Sequence, residues 1–372
     1  MRKLAITFLF WIVLDSCIEP FPIVLTKSQT QLVIDGMISD EPGPYEVKLY
    51  TTKALDDQLG APNWVKKADV RITDDLGNEE ILLESSAGIY KTKATGIKGQ
   101  VGATYVLSVT TTDGVSYESE PQKILPVGEF QDLRYEFQQD KDPEETDHLN
   151  TTNGFNIYID AQVLPEQGGL VRWRTTGTFE IKTVPETRMI LKGTSGGGIV
   201  LVPDPPPCSG WKYTPKDGLQ QKGECTCCEC WITDYSKQPI LSDAKFILNG
   251  SISDFKIGFI AASRRFFNEK YYLEVEQMSL SQDAYSFWSV LAKQSQSGSD
   301  LFQTPPASVK GNIHGLNGIA DPIGIFTAAS IKRKNITIER SEVPYYLPPI
   351  DSIKDSCLSI YKVSSTTKPP FW

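Results

Sequence analysis

The residues with most chemical potential in this chain are its cysteines. There are seven in 372 residues, and four sit together in Cys225-Thr-Cys227-Cys228-Glu-Cys230. Cys225 with Cys228, and Cys227 with Cys230, have the C-x₂-C spacing of zinc ligands, but zinc sites draw two such pairs from separate segments. Here the pairs interleave in one short stretch, which makes a tetrahedron hard to close. Setting Cys17 aside leaves Cys208, Cys225, Cys227, Cys228, Cys230 and Cys357, an even set. In an exported chain an even set favours disulfides. We expect these six to be disulfide-bonded, with Cys227 and Cys228 each reaching a partner other than its neighbour. Nothing in the spacing selects a pairing. No metal and no cofactor is expected.

Other chemistry is sparse. The two histidines, His148 in an acidic loop and His314 in Gly311-Asn-Ile-His-Gly315, have no G-x-S-x-G or comparable nucleophile signature nearby. Both read as solvated loop residues. Asp140, Asp142, Glu144 and Glu145 lack the glycine turn and closing glutamate of a twelve-residue calcium loop. A paired-carboxylate hydrolase needs two acids at a fixed separation, which spacing along a chain does not establish. No P-loop or dinucleotide fingerprint occurs, so no catalytic residue is assigned and the chain is expected not to be an enzyme. Trp64, Trp211 and Trp231, in or near loops, are candidate stacking surfaces for a glycan or peptide.

The N-terminus says where such a site would work. Arg2 and Lys3 precede an apolar run over 4–14. As a helix that run is about 16 Å long, and a bilayer core needs about 30 Å. It therefore reads as the h-region of a signal peptide, residues 1–16. Leu14-Asp15-Ser16-Cys17 resembles a bacterial lipobox, with Asp15 departing from the usual small or apolar residue. Cys17 is the expected lipidation site, and several acyl chains on one residue hold far better than one. The formal charge is −9, which argues against nucleic acid, for which a basic face is needed.

The elements that would position these residues are mostly strands. Tyr45, Val47 and Leu49 alternate with polar neighbours, as do 68–73 and 105–110, with Gly77, Gly88 and Asp113-Gly114 marking turns between them. Short strands with regular turns predict a sandwich over 27–127, after an anchor linker at 17–26. Further strands are expected at 155–163, 170–175, 178–182, 254–262, 270–278 and within 324–338. They belong to a second β-rich domain at 128–343, with a Cys-rich insertion at about 183–232 and an irregular tail at 344–372. One helix is predicted over 281–294. Ser281 is its N-cap, and Ala284, Phe287, Trp288 and Leu291 form a face expected to pack on a sheet. The expected fold class is mainly β: two β-sandwich-like domains, immunoglobulin- or prealbumin-like, the second with one helix and a Cys-rich loop insertion.

The segment Ser279-Leu-Ser-Gln-Asp-Ala-Tyr-Ser-Phe-Trp288, followed by Pro305-Pro306, Val309-Lys-Gly-Asn-Ile313 and Gly324-Ile-Phe-Thr-Ala-Ala-Ser330, resembles the DUF4249 family of Bacteroidota lipoproteins. Leu32-Val-Ile-Asp-Gly-Met-Ile38 and the terminal Pro370-Phe-Trp372 fit the same resemblance, which covers most of the mature chain. It implies an outer-membrane lipoprotein, often encoded near TonB-dependent receptors, facing the periplasm or the cell surface. The resulting expectation is an accessory partner of a TonB-dependent transporter barrel, with a free-standing glycan- or peptide-binding lipoprotein as the alternative. The resemblance carries no catalytic residue with it.

Overall fold

A computed structural model describes residues 30–53, 62–145, 150–164, 169–194, 196–296, 309–348, 353–361 and 364–372. The expected signal peptide, the expected lipidation site Cys17, the expected anchor linker and His148 lie outside the described residues. The fold is mainly β and is built from two sandwiches.

In the first sandwich the alternating residues do what their period requires. Val47 and Leu49 of Glu46–Thr51, Val70 and Ile72 of Asp69–Asp74, and Tyr105, Leu107 and Val109 of Thr104–Thr110 are all buried in one core. Each fully buried aliphatic side chain contributes about 1.5–3 kcal/mol. One sheet pairs Leu32–Ser39 with Glu46–Thr51 and continues to Ile89–Lys91 and Leu83–Ser86; the other runs from Asp69–Asp74 through Thr104–Thr110 to Ser116–Ser119. Both sheets are completed from far along the chain. Ile323–Ala329 pairs in parallel with Leu32–Ser39, and Ile313–Gly315 pairs antiparallel with Ser116–Ser119. The segment 313–329, placed by sequence in the second domain, therefore contributes strands to the first sandwich.

The second sandwich packs a three-stranded sheet (Phe130–Gln138, Gly154–Gln162, Ser251–Ala261) against a sheet ordered Ile331–Glu339, Lys270–Ser279, Val171–Lys182, Glu229–Tyr235, Ser364–Ser365. Its core holds Phe155, Trp173, Phe179 and Phe267. Trp173 Nε1 donates to Gln277 Oε1 at 3.0 Å, and Gln277 Nε2 donates to Gly128 O at 2.8 Å. The buried amide is thereby satisfied at both ends. The runs 170–175 and 178–182 form one twelve-residue strand. Gly177 joins them because the Tyr271 ring crosses over it: a Cβ there would lie 1.8 Å from Tyr271 Oη.

The helix, α1 (Gln282–Gln296), starts where the sequence predicts, with Ser281 Oγ accepting from Ala284 N–H at 3.3 Å. Ala284 and Phe287 pack on Leu280 and Ile325. No helix among the described residues is long and apolar enough to cross a membrane. The tail, expected to be irregular, carries one helical turn (Cys357–Ile360) and a two-residue strand (Ser364–Ser365) paired with Trp231 and Ile232.

Candidate functional site

The Cys-rich insertion is an elaborated hairpin loop. Its stem strands are direct partners, with Ile181 opposite Cys230 and Lys182 opposite Glu229. Thr183 N–H donates to Cys228 O at 2.7 Å, and Val184 N–H reaches Ile353 O at 2.8 Å. All six candidate cysteines are consumed in disulfides: Cys208–Cys227, Cys225–Cys228 and Cys230–Cys357. Oxidised sulfur offers no thiolate, so the interleaved C-x₂-C spacing serves a staple. Among the described residues no cluster of histidine, cysteine or carboxylate side chains could hold a metal.

Two hairpins stand on this base. The first pairs Met189–Gly193 with Ile199–Pro203 and joins no other sheet among the described residues. Residues opposite each other in a pair point the same way. Met189, Leu191, Ile199 and Leu201 therefore share one face, and Ile190, Val200 and Val202 the other. The first face is apolar and open to solvent, with Leu191 70%, Ile199 71% and Leu201 58% exposed; the second sets Lys192 among its aliphatic residues. The foot of the hairpin is held by Arg188, whose Nε donates to Asp204 O at 2.8 Å. Its guanidinium also pairs with the Asp204 carboxylate and lies 3.5 Å from Asp355. These carboxylates hold Arg188 above the usual guanidinium range.

The second hairpin pairs Trp211–Thr214 with Gly218–Gln221. Gly210 enters it at φ +74°, and a Cβ there would meet Gly223 O at 2.4 Å. A shallow pocket of about 570 Å³ lies beside it, lined by Pro203, Pro205, Pro207, Trp211 and Tyr213.

The other tryptophan candidates lie apart from this insertion pocket. Trp64 is half-buried opposite Tyr50 in the first sandwich, ring centroids 5.7 Å apart. Trp231 lies within Glu229–Tyr235 and is only 5% exposed, edge-on to Trp372. Its strand position takes it out of the loops, and its ring is not open for stacking. His314 is on the short strand Ile313–Gly315, half-exposed, with Nδ1 3.1 Å from Asp321 and Nε2 3.0 Å from Glu120. The Glu120 and Asp321 carboxylates raise its pKa and occupy both ring nitrogens, leaving neither to serve a nucleophile.

Glu180 and Glu229 share Lys182 Nζ at 3.2 and 3.4 Å. Burial, then the Glu229 contact, pushes the Glu180 carboxyl up, and the same contact lowers Glu229.

The apolar hairpin was missed from sequence because 193–222 reads as a Gly- and Pro-rich loop. The signal available was a pair of unalternating apolar runs, Met189-Ile-Leu191 and Ile199-Val-Leu-Val202, around a glycine-rich turn.

Fold and insertion together define a tandem β-sandwich protein that carries a disulfide-stapled, two-hairpin projection. The chain belongs to DUF4249, a domain of unknown function, whose family profile matches residues 18–335. No curated protein matches it. Among solved structures it is similar to a tetra-tandem repeat from the extending region of a large adhesion protein. The two are 12% identical over 83% of this chain and 50% of the other, with a TM-score of 0.15.

Proposed function

We propose that the chain is a lipid-anchored outer-membrane protein of Bacteroidota, tethered through Cys17, that serves as the non-catalytic binding accessory of a TonB-dependent transporter. It docks on the barrel through the hairpin formed by Met189–Gly193 and Ile199–Pro203. The lipobox and the family resemblance support the location. The observation that carries docking is the hairpin itself: an exposed apolar face and two edges unpaired among the described residues, on a projection stapled by disulfides. Exposed apolar patches of this kind mark interaction sites. A lipid partner fits poorly, because hydrocarbon leaves the N–H and C=O groups of both edges unpaired. A protein partner can add strands or loops to those edges.

A second reading rests on the pocket beside Trp211. Prolines and two aromatic rings form a stacking surface suited to a glycan or an extended peptide, so the chain would bind ligand on its own.

Affinity purification from detergent-solubilised outer membranes, with a C-terminal tag, separates the two. The docking reading expects a stoichiometric barrel with the wild type and with Trp211→Ala, lost in the double variant Leu191→Lys, Leu201→Lys. Recovery of the lipoprotein alone, in mild detergent at low salt, contradicts docking and moves the weight to the Trp211 pocket.

A further inference from the structure

A second cavity, of about 390 Å³, lies where the two sandwiches meet. Its walls follow from strand alternation. Ile34 and Ile38 point into the first core, so Asp35 and Met37 point outward; Trp173 points into the second core, so Arg172 and Arg174 point outward. The two outward faces close on each other with Trp288 of α1 and Arg333 of Ile331–Glu339 at the rim.

Most charges around this cavity are already paired. Glu46 takes Lys48 at 3.1 Å and Lys91 at 3.0 Å. Arg174 pairs with the buried Glu276; Arg333 holds Glu41, Glu274 at 3.0 Å and Glu276 at 2.8 Å. Formal charge over these two clusters cancels. Two groups are left. Arg172 lies flat on the Trp288 ring, 3.6 Å from its centroid, in no salt bridge among the described residues. Its Nε, like Trp288 Nε1, is buried without a hydrogen-bond partner. Asp35 is open to water from the cavity but has no hydrogen bond or ion pair among the described residues. Burial lowers the Arg172 guanidinium to about 10, helped by Arg174 beside it. Burial also raises the Asp35 carboxyl, although Lys48, Arg172 and Arg174 pull the other way and only Glu46 adds to the rise.

Arg172 is half-buried and Asp35 open to the cavity, neither has an ion pair among the described residues, and two unpaired charges of opposite sign in one cavity suit a ligand with two opposite poles. We infer that this cavity is a binding site for a small zwitterion, a free amino acid or a short peptide, whose carboxylate is received by Arg172 and whose ammonium is received by Asp35. A purely anionic ligand would leave its charge facing Asp35, and a purely cationic one would face Arg172. The volume lies at the small end of the roughly 300–1,000 Å³ range of ligand sites. Met37, Met278 and Leu280 line the same cavity, and flexible thioethers accommodate varied apolar side chains. The inference stands apart from the hairpin and does not rest on it.

The test is calorimetric titration of the full mature protein with leucine, its N-acetyl derivative, its amide, and di- and trileucine. The zwitterions bind, and blocking either pole weakens binding at least tenfold. Whichever of the free amino acid or the peptides binds more tightly identifies the source. Arg172→Met loses binding at least tenfold while its melting temperature holds or rises, which a merely structural arginine would not allow. Asp35→Asn, which keeps the side-chain shape, loses the preference for leucine over N-acetyl-leucine. Equal binding of the N-acetyl derivative or of the amide, or no binding by any member at millimolar concentration, overturns the assignment.

Discussion

Glu180 is 2% exposed, accepts from Asn268 Nδ2 at 2.9 Å and pairs with Lys182 at 3.2 Å. Its folded carboxyl is raised above the unfolded value, so its contribution is present below the unfolded pKa and lost as pH rises through the folded one. Glu180→Gln keeps the shape and removes the charge. It should raise stability at pH 8 by about 1 kcal/mol, the size of one buried hydrogen-bond change, with the gain vanishing toward pH 4. Urea denaturation at the two pH values checks this, and a loss at pH 8 would show that the Lys182 pairing dominates. At the residue scale the cysteines are the most legible in sequence. Count and compartment pointed to disulfides; the pairing needed the fold, which brings Cys230 and Cys357 to a Cα separation of 6.0 Å across 127 residues. Arg172 and Asp35 were illegible for the opposite reason. Each sits at a polar position of an alternating strand and reads as solvent-facing until the opposing sheet is placed.

Among the elements, the C-terminal segment is tied covalently to the second sandwich by Cys230–Cys357, with Phe371 stacked on Tyr272 at 4.0 Å. Cys357 N–H donates to Cys227 O at 3.2 Å, and Ser364–Ser365 adds only a two-residue strand. The double variant Cys230→Ser, Cys357→Ser should cost about 2–5 kcal/mol and expose the tail to proteolysis. Cys225→Ser, Cys228→Ser, which opens a link between residues only 3 apart, should cost less, because a short loop loses little chain entropy when closed. Equal losses in urea denaturation would contradict the ranking. The period-two strands and the capped helix were legible because burial on one side stamps a local pattern. The hairpin at 189–203 was not, since apolar residues on both faces erase alternation.

At the scale of the whole molecule, a single residue separates strands belonging to different sandwiches. Ile323–Ala329 ends in the first, Ile331–Glu339 begins in the second, and Ser330 lies between. Asp40 fixes this crossing: it accepts from Ile331 N–H at 2.9 Å and from Ser330 Oγ at 2.5 Å, while Ser330 N–H donates to Ser279 Oγ at 2.9 Å. Asp40→Ala should cost about 1–3 kcal/mol by leaving Ile331 N–H unpaired, and it should weaken ligand binding in the cavity at the same junction; an unchanged melting temperature would remove Asp40 from this role. The exchange of 313–329 between sandwiches left no trace in the sequence, since pairing across almost the whole chain has no local period. In the docking proposal the stapled apolar hairpin meets a barrel. Photo-crosslinking in intact cells, with a photoreactive residue at Leu191 or Ile199 and a control at the exposed Leu76 of the first sandwich, tests it most directly. One outer-membrane barrel adduct is expected from the two hairpin positions and none from Leu76. No protein adduct from the hairpin, or the same adducts from all three positions, would contradict it.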